Sequence, residues 1–160
     1  MGRLRRQRGF TFIELIVTLA IMGVLATVAV PMAQVAIQRD KERELRLALQ
    51  EIREAIDAYK RASDNGSVKL SLGDSGFPKT LEELAEGVPD QRHPQKRSMY
   101  FLRRIPRDPF APPSIASAAD TWAKRAYASA PDNPTEGADV FDVASRSDLT
   151  GLNGIPLKTW

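Results

Sequence analysis

A long apolar run from Phe10 to Val30 constrains this chain more than any other feature. It is built almost entirely of Phe, Ile, Leu, Val, Ala and Met, and a short leader bearing Arg3, Arg5, Arg6 and Arg8 precedes it. As a helix rising ~1.5 Å per residue, the run spans about 30 Å, the hydrocarbon thickness of a bilayer. Arginines ahead of a span hold their flank in the cytoplasm, so the rest of the chain is expected on the outer side. An ordinary secretory signal fits poorly. Its apolar core reaches only ~7–15 residues and closes on a small-x-small cleavage site before a polar mature start.

Glu14 breaks the pattern of a plain anchor. A carboxylate at the bilayer centre costs at least about 2.5–3.5 kcal/mol, less near one end, and a tether gains nothing from it. A positive partner would account for it. Cutting between Gly9 and Phe10 would create a free α-amino group four residues from Glu14. Glu14 could then neutralise the amine of its own chain, or that of a neighbour packed alongside.

The segment Arg8-Gly9-Phe10-Thr11-Phe12-Ile13-Glu14-Leu15, behind its basic leader, resembles the class III signal of type IV pilins and type II secretion pseudopilins. In that family a prepilin peptidase cuts after the glycine and N-methylates the new terminal phenylalanine. The resemblance implies that Gly9 is the scissile residue, Phe10 the methylated one and Glu14 the assembly glutamate. Pro31 falls where the family often has a helix-kinking proline. The resemblance further implies that the stretch from Gly23 to Pro31 can melt when a filament assembles.

Composition narrows the reading. The formal charge of +3 becomes −1 once the four leader arginines are set aside, so the basic balance says nothing about nucleic acid. No basic patch interleaved with aromatics appears, and a nucleic-acid module is not expected. Cysteine is absent, so an exported domain must be held by its core or by a metal. Many type IV pilins carry a C-terminal disulfide loop, and its absence leans toward the pseudopilin branch.

Beyond Pro31 the helical pattern continues. Leu45, Leu49, Ile52, Ile56 and Tyr59 recur at three- and four-residue steps, with Ala48 and Ala55 beside them. The charged residues between Arg39 and Glu54 are expected to keep the other faces soluble, pairs such as Glu42 with Arg46 adding only about 0.2–0.5 kcal/mol each. The turn formers Ser63-Asp64-Asn65-Gly66 predict the helix end. Thr80 and Glu83 predict a capping box opening a short helix through about Glu86, with Leu81 and Leu84 facing inward. His93 lies in a polar loop and is assigned no role.

Phe77-Pro78-Lys79-Thr80-Leu81-Glu82-Glu83-Leu84 resembles the Tyr-Pro-x-Thr-Leu-x-x-Leu stretch of major pseudopilins. Met99 to Phe110 resembles their Tyr-Leu-x-x-Ile-Pro-x-Asp-Pro-Trp block, with Phe110 in place of tryptophan. An apolar anchor that packs a turn against the long helix is the expected role of this block. Residues 123–130 and 138–144 read as strands joined by a loop over 131–137, with Trp122, Phe141 and Trp160 as packing aromatics.

In G-type pseudopilins the loop after an Asp-(Ile/Val)-x-Ser strand binds calcium. The resemblance implies Ca2+ held by Asp148, Ser145 and the backbone carbonyl of Arg146. Read as residues alone, Asp148, Asn153 and the neighbouring glycines also serve as ordinary turn formers. No cysteine nucleophile, second histidine, Gly-x-Ser-x-Gly elbow or phosphate-binding glycine loop is present, and an enzyme is not expected. Asp139 and Asp142 would project to opposite faces of a strand.

The expected fold is α+β and pilin-like: a long N-terminal helix, half membrane-spanning and half amphipathic, packed on a small C-terminal antiparallel β-sheet. The expected division is a leader at 1–9, an assembly helix at 10–30, its amphipathic continuation at 31–64 and a periplasmic globular part at 65–160. The expected function is that of a type II secretion pseudopilus subunit, polymerising as a helical homopolymer from the inner membrane. Its expected partners are prepilin peptidase, minor pseudopilins, an assembly platform and an ATPase. A type IV pilin of an adhesion or motility fibre, or a membrane-anchored periplasmic binding module, are the alternatives.

Overall fold

The computed structural model describes residues 9–160, apart from the side chain of Val28. The leader arginines lie outside the described residues. The chain divides into two compact units, the first ending at Arg39 and the second covering Asp40–Trp160. Helix α1, Phe12–Asp64, supplies residues to both.

Apolar spacing explains why α1 builds a core only in its second half. Leu45, Ala48, Leu49, Ile52, Ala55, Ile56 and Tyr59 lie on one stripe, and all are buried. Full burial of side chains of this size stabilises by about 1.5–3 kcal/mol each. Leu81, Leu84, Leu102, Trp122, Val140, Val143 and Leu157 close over that stripe from the rest of the chain.

The end of α1 falls where the turn formers predict it, and for a definable reason. Gly66 has φ +76, a conformation that glycine adopts without strain. The Gly66 amide donates to the Ser63 carbonyl (2.9 Å) and the Ser67 amide to the Ala62 carbonyl (2.9 Å), which is a Schellman cap.

Helix α2, Glu82–Glu86, forms with Leu81 and Leu84 buried, but without the expected capping box. Leu81 is the N-cap residue and makes no side-chain cap. The Glu83 carboxylate reaches one residue further back than expected. It accepts from the Lys79 amide (3.0 Å) and from the Tyr59 hydroxyl (3.3 Å). A tertiary partner on α1 therefore displaces the local cap.

The α+β class holds, with two small ribbons in place of one sheet. Strands β1, Val88–Pro89, and β2, Ser98–Met99, close the polar loop around His93. Strands β3, Trp122–Arg125, and β4, Asp142–Ser145, pair antiparallel in the register Trp122↔Ser145 to Arg125↔Asp142. The second ribbon is shorter than the expected pair of strands. Its connection is long because Asp139 is drawn out of register, accepting from the Ser75 hydroxyl and from the Tyr127 amide (2.8 Å). Phe77, Tyr127 and Phe141 cluster beside it with ring centroids 5.0–5.5 Å apart. Trp122 is fully buried, whereas Phe141 and Trp160 are half-buried.

Burial, reinforced by the Glu83 carboxylate, pushes the Tyr59 hydroxyl up to about 12 from its ordinary 10.0. Between those values the native state keeps a proton that the unfolded chain has released, so stability falls with rising pH. The stabilisation is complete below pH 10.0 and is lost as pH rises through about 12. Urea midpoints of the wild type are therefore expected to fall more steeply across this window than those of Tyr59→Phe.

Candidate functional site

The first unit presents an apolar surface with nothing over it. Phe10, Ile13, Leu19 and Leu25 are between 60% and 85% exposed, and Leu15, Ile16, Val17, Val24 and Val30 are also exposed. This stretch is long and apolar enough to cross a membrane. Each such side chain left in water forgoes about 1.5–3 kcal/mol. Lipid or other helices would supply that stabilisation.

Glu14 has a local partner that the sequence reading overlooked. The Thr11 amide donates to Glu14 Oε2 (3.4 Å) and the Glu14 amide donates to Thr11 Oγ1 (3.3 Å). This is a reciprocal capping box, and its Thr-x-x-Glu signature was visible in the sequence. Glu14 thus satisfies a helix terminus, and its negative charge also suits the positive end of the helix. A plain anchor no longer leaves it wholly unexplained. Gly9 and Phe10, which flank the expected cut, are exposed ahead of this cap.

Gly23 and Pro31 bracket a helix that stays continuous through both. A Cβ placed on Gly23 would meet nothing within 4 Å, so packing inside the chain does not require glycine there. Pro31 lacks the amide that would bond the Thr27 carbonyl, and Thr27 Oγ1 donates to the Val24 carbonyl (2.7 Å). Gly23, Thr27 and Pro31 fall at four-residue steps, so they weaken one face of the helix.

In the second unit, charges on α1 do more than keep it soluble. Glu42, Arg46 and Arg53 share one stripe and hold the C-terminal segment. Glu42, 5% exposed, accepts the Leu152 amide at 2.7 Å. The Arg46 guanidinium stacks 4.4 Å from the Trp160 ring. Arg53 donates to Asp142 Oδ1 (2.8 Å), the Val143 carbonyl (3.0 Å) and the Trp160 carbonyl (2.7 Å). Solvation, expected for nearly all the charges of α1, does not account for these three. Their partners lie about ninety residues or more along the chain, where periodicity carries no signal.

The Ile105-Pro106-Arg107-Asp108-Pro109-Phe110 block is a polar hub as well as an apolar anchor. Asp108 is 1% exposed. Its carboxylate accepts from the Phe110 amide (2.8 Å) and the Ser145 hydroxyl (2.6 Å). Trp122 Nε1 donates to the Pro106 carbonyl (2.8 Å), fixing the block beneath β3.

Two of the three expected calcium donors, Ser145 and Asp148, have partners within the chain. The Ser145 hydroxyl is directed to Asp108 and is buried. Asp148 is 89% exposed and meets Lys158 Nζ at 3.1 Å. The Arg146 side chain donates to the Trp122 carbonyl (3.0 Å) and to Glu136 (3.1 Å). Among the described residues, no three acidic or histidine side chains gather as metal ligands. A calcium ion needs six to eight oxygens, and this arrangement does not fit one. Asp139 and Asp142 also bond to different partners and form no carboxylate pair.

An apolar, capped N-terminal helix that continues into the core of a small α+β unit defines a pilin-like protein. The family model of the prokaryotic N-terminal methylation motif matches residues 4–30. The chain is 30% identical over 115 residues to the type II secretion system core protein G of Pseudomonas aeruginosa, covering 68% of this chain and 72% of that one. It is 29% identical over 110 residues to the same core protein of Dickeya chrysanthemi, covering 66% and 65%, and 26% identical over 113 residues to that of Vibrio cholerae, covering 69% and 70%. The match thus spans about two thirds of the length of these relatives. No solved structure matches the chain. The chain belongs to the type II secretion system core protein G family. It is a structural protein and not an enzyme.

Removing the Asp108 carboxylate strands the buried Ser145 hydroxyl and the Phe110 amide. Each unsatisfied group costs about 1–3 kcal/mol. Asp108→Ala is expected to lower the unfolding free energy by at least that amount in a urea titration followed by Trp122 fluorescence. A wild-type midpoint would remove the hub role.

Proposed function

We propose that this chain is a subunit of a type II secretion pseudopilus, processed at Gly9, methylated on Phe10 and polymerised through residues 10–30. The observation that carries the reading is the exposed apolar face of the first unit, coinciding with the methylation motif at residues 4–30. In the inner membrane that face meets lipid, with the second unit in the periplasm. In the filament the same face meets other copies of the helix. Prepilin peptidase, minor pseudopilins and an inner-membrane platform with its ATPase are the partners this reading requires.

Glu14 acts in this scheme by exchange. Before assembly it caps the helix through the Thr11 amide; in the filament its carboxylate meets the α-amino group of a neighbour's Phe10. The one capping bond the carboxylate makes is exposed and long, 3.4 Å, so little stability is surrendered when it turns outward. A charge pair inside an apolar filament core is worth more than the same pair in water. Gly23, Thr27 and Pro31 leave one helix face weakly bonded, which supports local unwinding over Gly23–Pro31 as copies pack.

Glu14→Gln separates capping from charge, because glutamine still accepts the Thr11 amide. This variant is expected to be cleaved and membrane-inserted like the wild type, with filament yield reduced roughly tenfold or more, equivalent to about 1.4 kcal/mol. Sheared filaments quantified against the membrane-bound pool provide the measurement. Undiminished yield would eliminate charge pairing as the assembly step.

A further inference from the structure

The loop on which the family resemblance implied calcium carries one carboxylate, Asp148, and Glu136, Asp139 and Asp142 lie just upstream of it. In a calcium loop, carboxylates are gathered so that their mutual repulsion is relieved only by the ion. Here every one of them is already met from within the chain. Glu136 pairs with Arg146 at 3.1 Å and Asp148 with Lys158 at 3.1 Å. Asp142 pairs with Arg53 at 2.8 Å and Arg125 at 3.6 Å. Asp139 accepts from the Ser75 hydroxyl and the Tyr127 amide. Three of these carboxylates pair with four side-chain cations and Asp139 accepts from two neutral donors, so the four carboxylates and four cations together leave no net negative charge to attract a divalent ion.

Closure of the segment also has its own means. The Gly151 amide donates to the Ile155 carbonyl (2.9 Å) and the Leu157 amide to the Leu149 carbonyl (2.9 Å), with Leu157 buried beneath them. A Cβ on Gly151 would stand 2.6 Å from the Trp160 ring, so glycine allows that ring to lie against the turn. Glu42, Arg46 and Arg53 then fasten the turn to α1.

We infer that side-chain cations, with Arg53 foremost, do in this chain what a calcium ion would otherwise do, and that residues 145–160 are closed and stable without any divalent metal. Arg53 is the central member because its guanidinium spans β4 and the Trp160 carbonyl together. Lys158, exposed to solvent, contributes less. This inference goes beyond the filament reading and does not depend on it.

Thermal unfolding of the purified full chain in detergent micelles, followed by Trp122 and Trp160 fluorescence, tests it in millimolar calcium chloride against excess EGTA. The two midpoints are expected to agree within about 1 °C, whereas a calcium site filled at ~100 times its Kd would separate them by on the order of 10 °C. Isothermal titration with calcium chloride is expected to show no saturable heat. Arg53→Met, which keeps the aliphatic stem, is expected to lower the midpoint by several degrees equally in both conditions. A midpoint raised by calcium, saturable calcium uptake abolished by Asp148→Ala, or rescue of Arg53→Met by calcium would each overturn the inference. Because the readout is stability, none of these results bears on filament assembly.

Discussion

One stripe of α1, from Leu45 to Tyr59, is what residues 40–160 depend on. The segment beyond the helix has little regular structure of its own, only a five-residue helix, two short ribbons and two turns of 3-10 helix. Ribbons of this length are not stable alone. They persist because Trp122, Val143, Leu157, Leu81 and Leu84 bury against a preformed helical surface. The absence of cysteine raises the demand on that surface, since no covalent link restrains the unfolded chain.

Polar bonds give the apolar core its specificity. Asp108 joins the Ile-Pro-Arg-Asp-Pro-Phe block to the end of β4, and Arg53 joins the other end of β4 to the helix. Buried acceptors that are fully satisfied admit few alternative arrangements, because any other packing leaves them unpaired. In the first unit the side-chain bonds of Thr11, Glu14, Thr18 and Thr27 stay within the helix. Its apolar face is free to exchange one nonpolar environment for another, which is the property a polymerising helix requires.

How much of this was legible in the sequence depended on distance along the chain. Leu45 to Tyr59 and the Gly66 terminus were legible because helical period and turn chemistry are local. Two Thr-x-x-Glu patterns show the boundary of that method. At Thr80–Glu83 the box was expected and does not form, because Tyr59, twenty-four residues away, takes the glutamate. At Thr11–Glu14 the box forms, and among the described residues nothing tertiary competes for Glu14. Arg53 and Glu42 looked like any other surface charges on an amphipathic helix. Their roles arise from carbonyls and amides near the C-terminus, which carry no residue-specific signature. The calcium expectation came from resemblance, and the pairing of Lys158 with Asp148, ten residues apart, leaves no periodic signal along the chain.

On the proposed function, the helix from Phe10 onward assembles after a cut at Gly9. The most direct test is the mass of the N-terminal peptide of the protein isolated together with a prepilin peptidase. The account predicts a peptide that begins at Phe10 and carries one methyl group. An intact leader on the membrane-bound protein would contradict it and leave a signal-anchored module in its place.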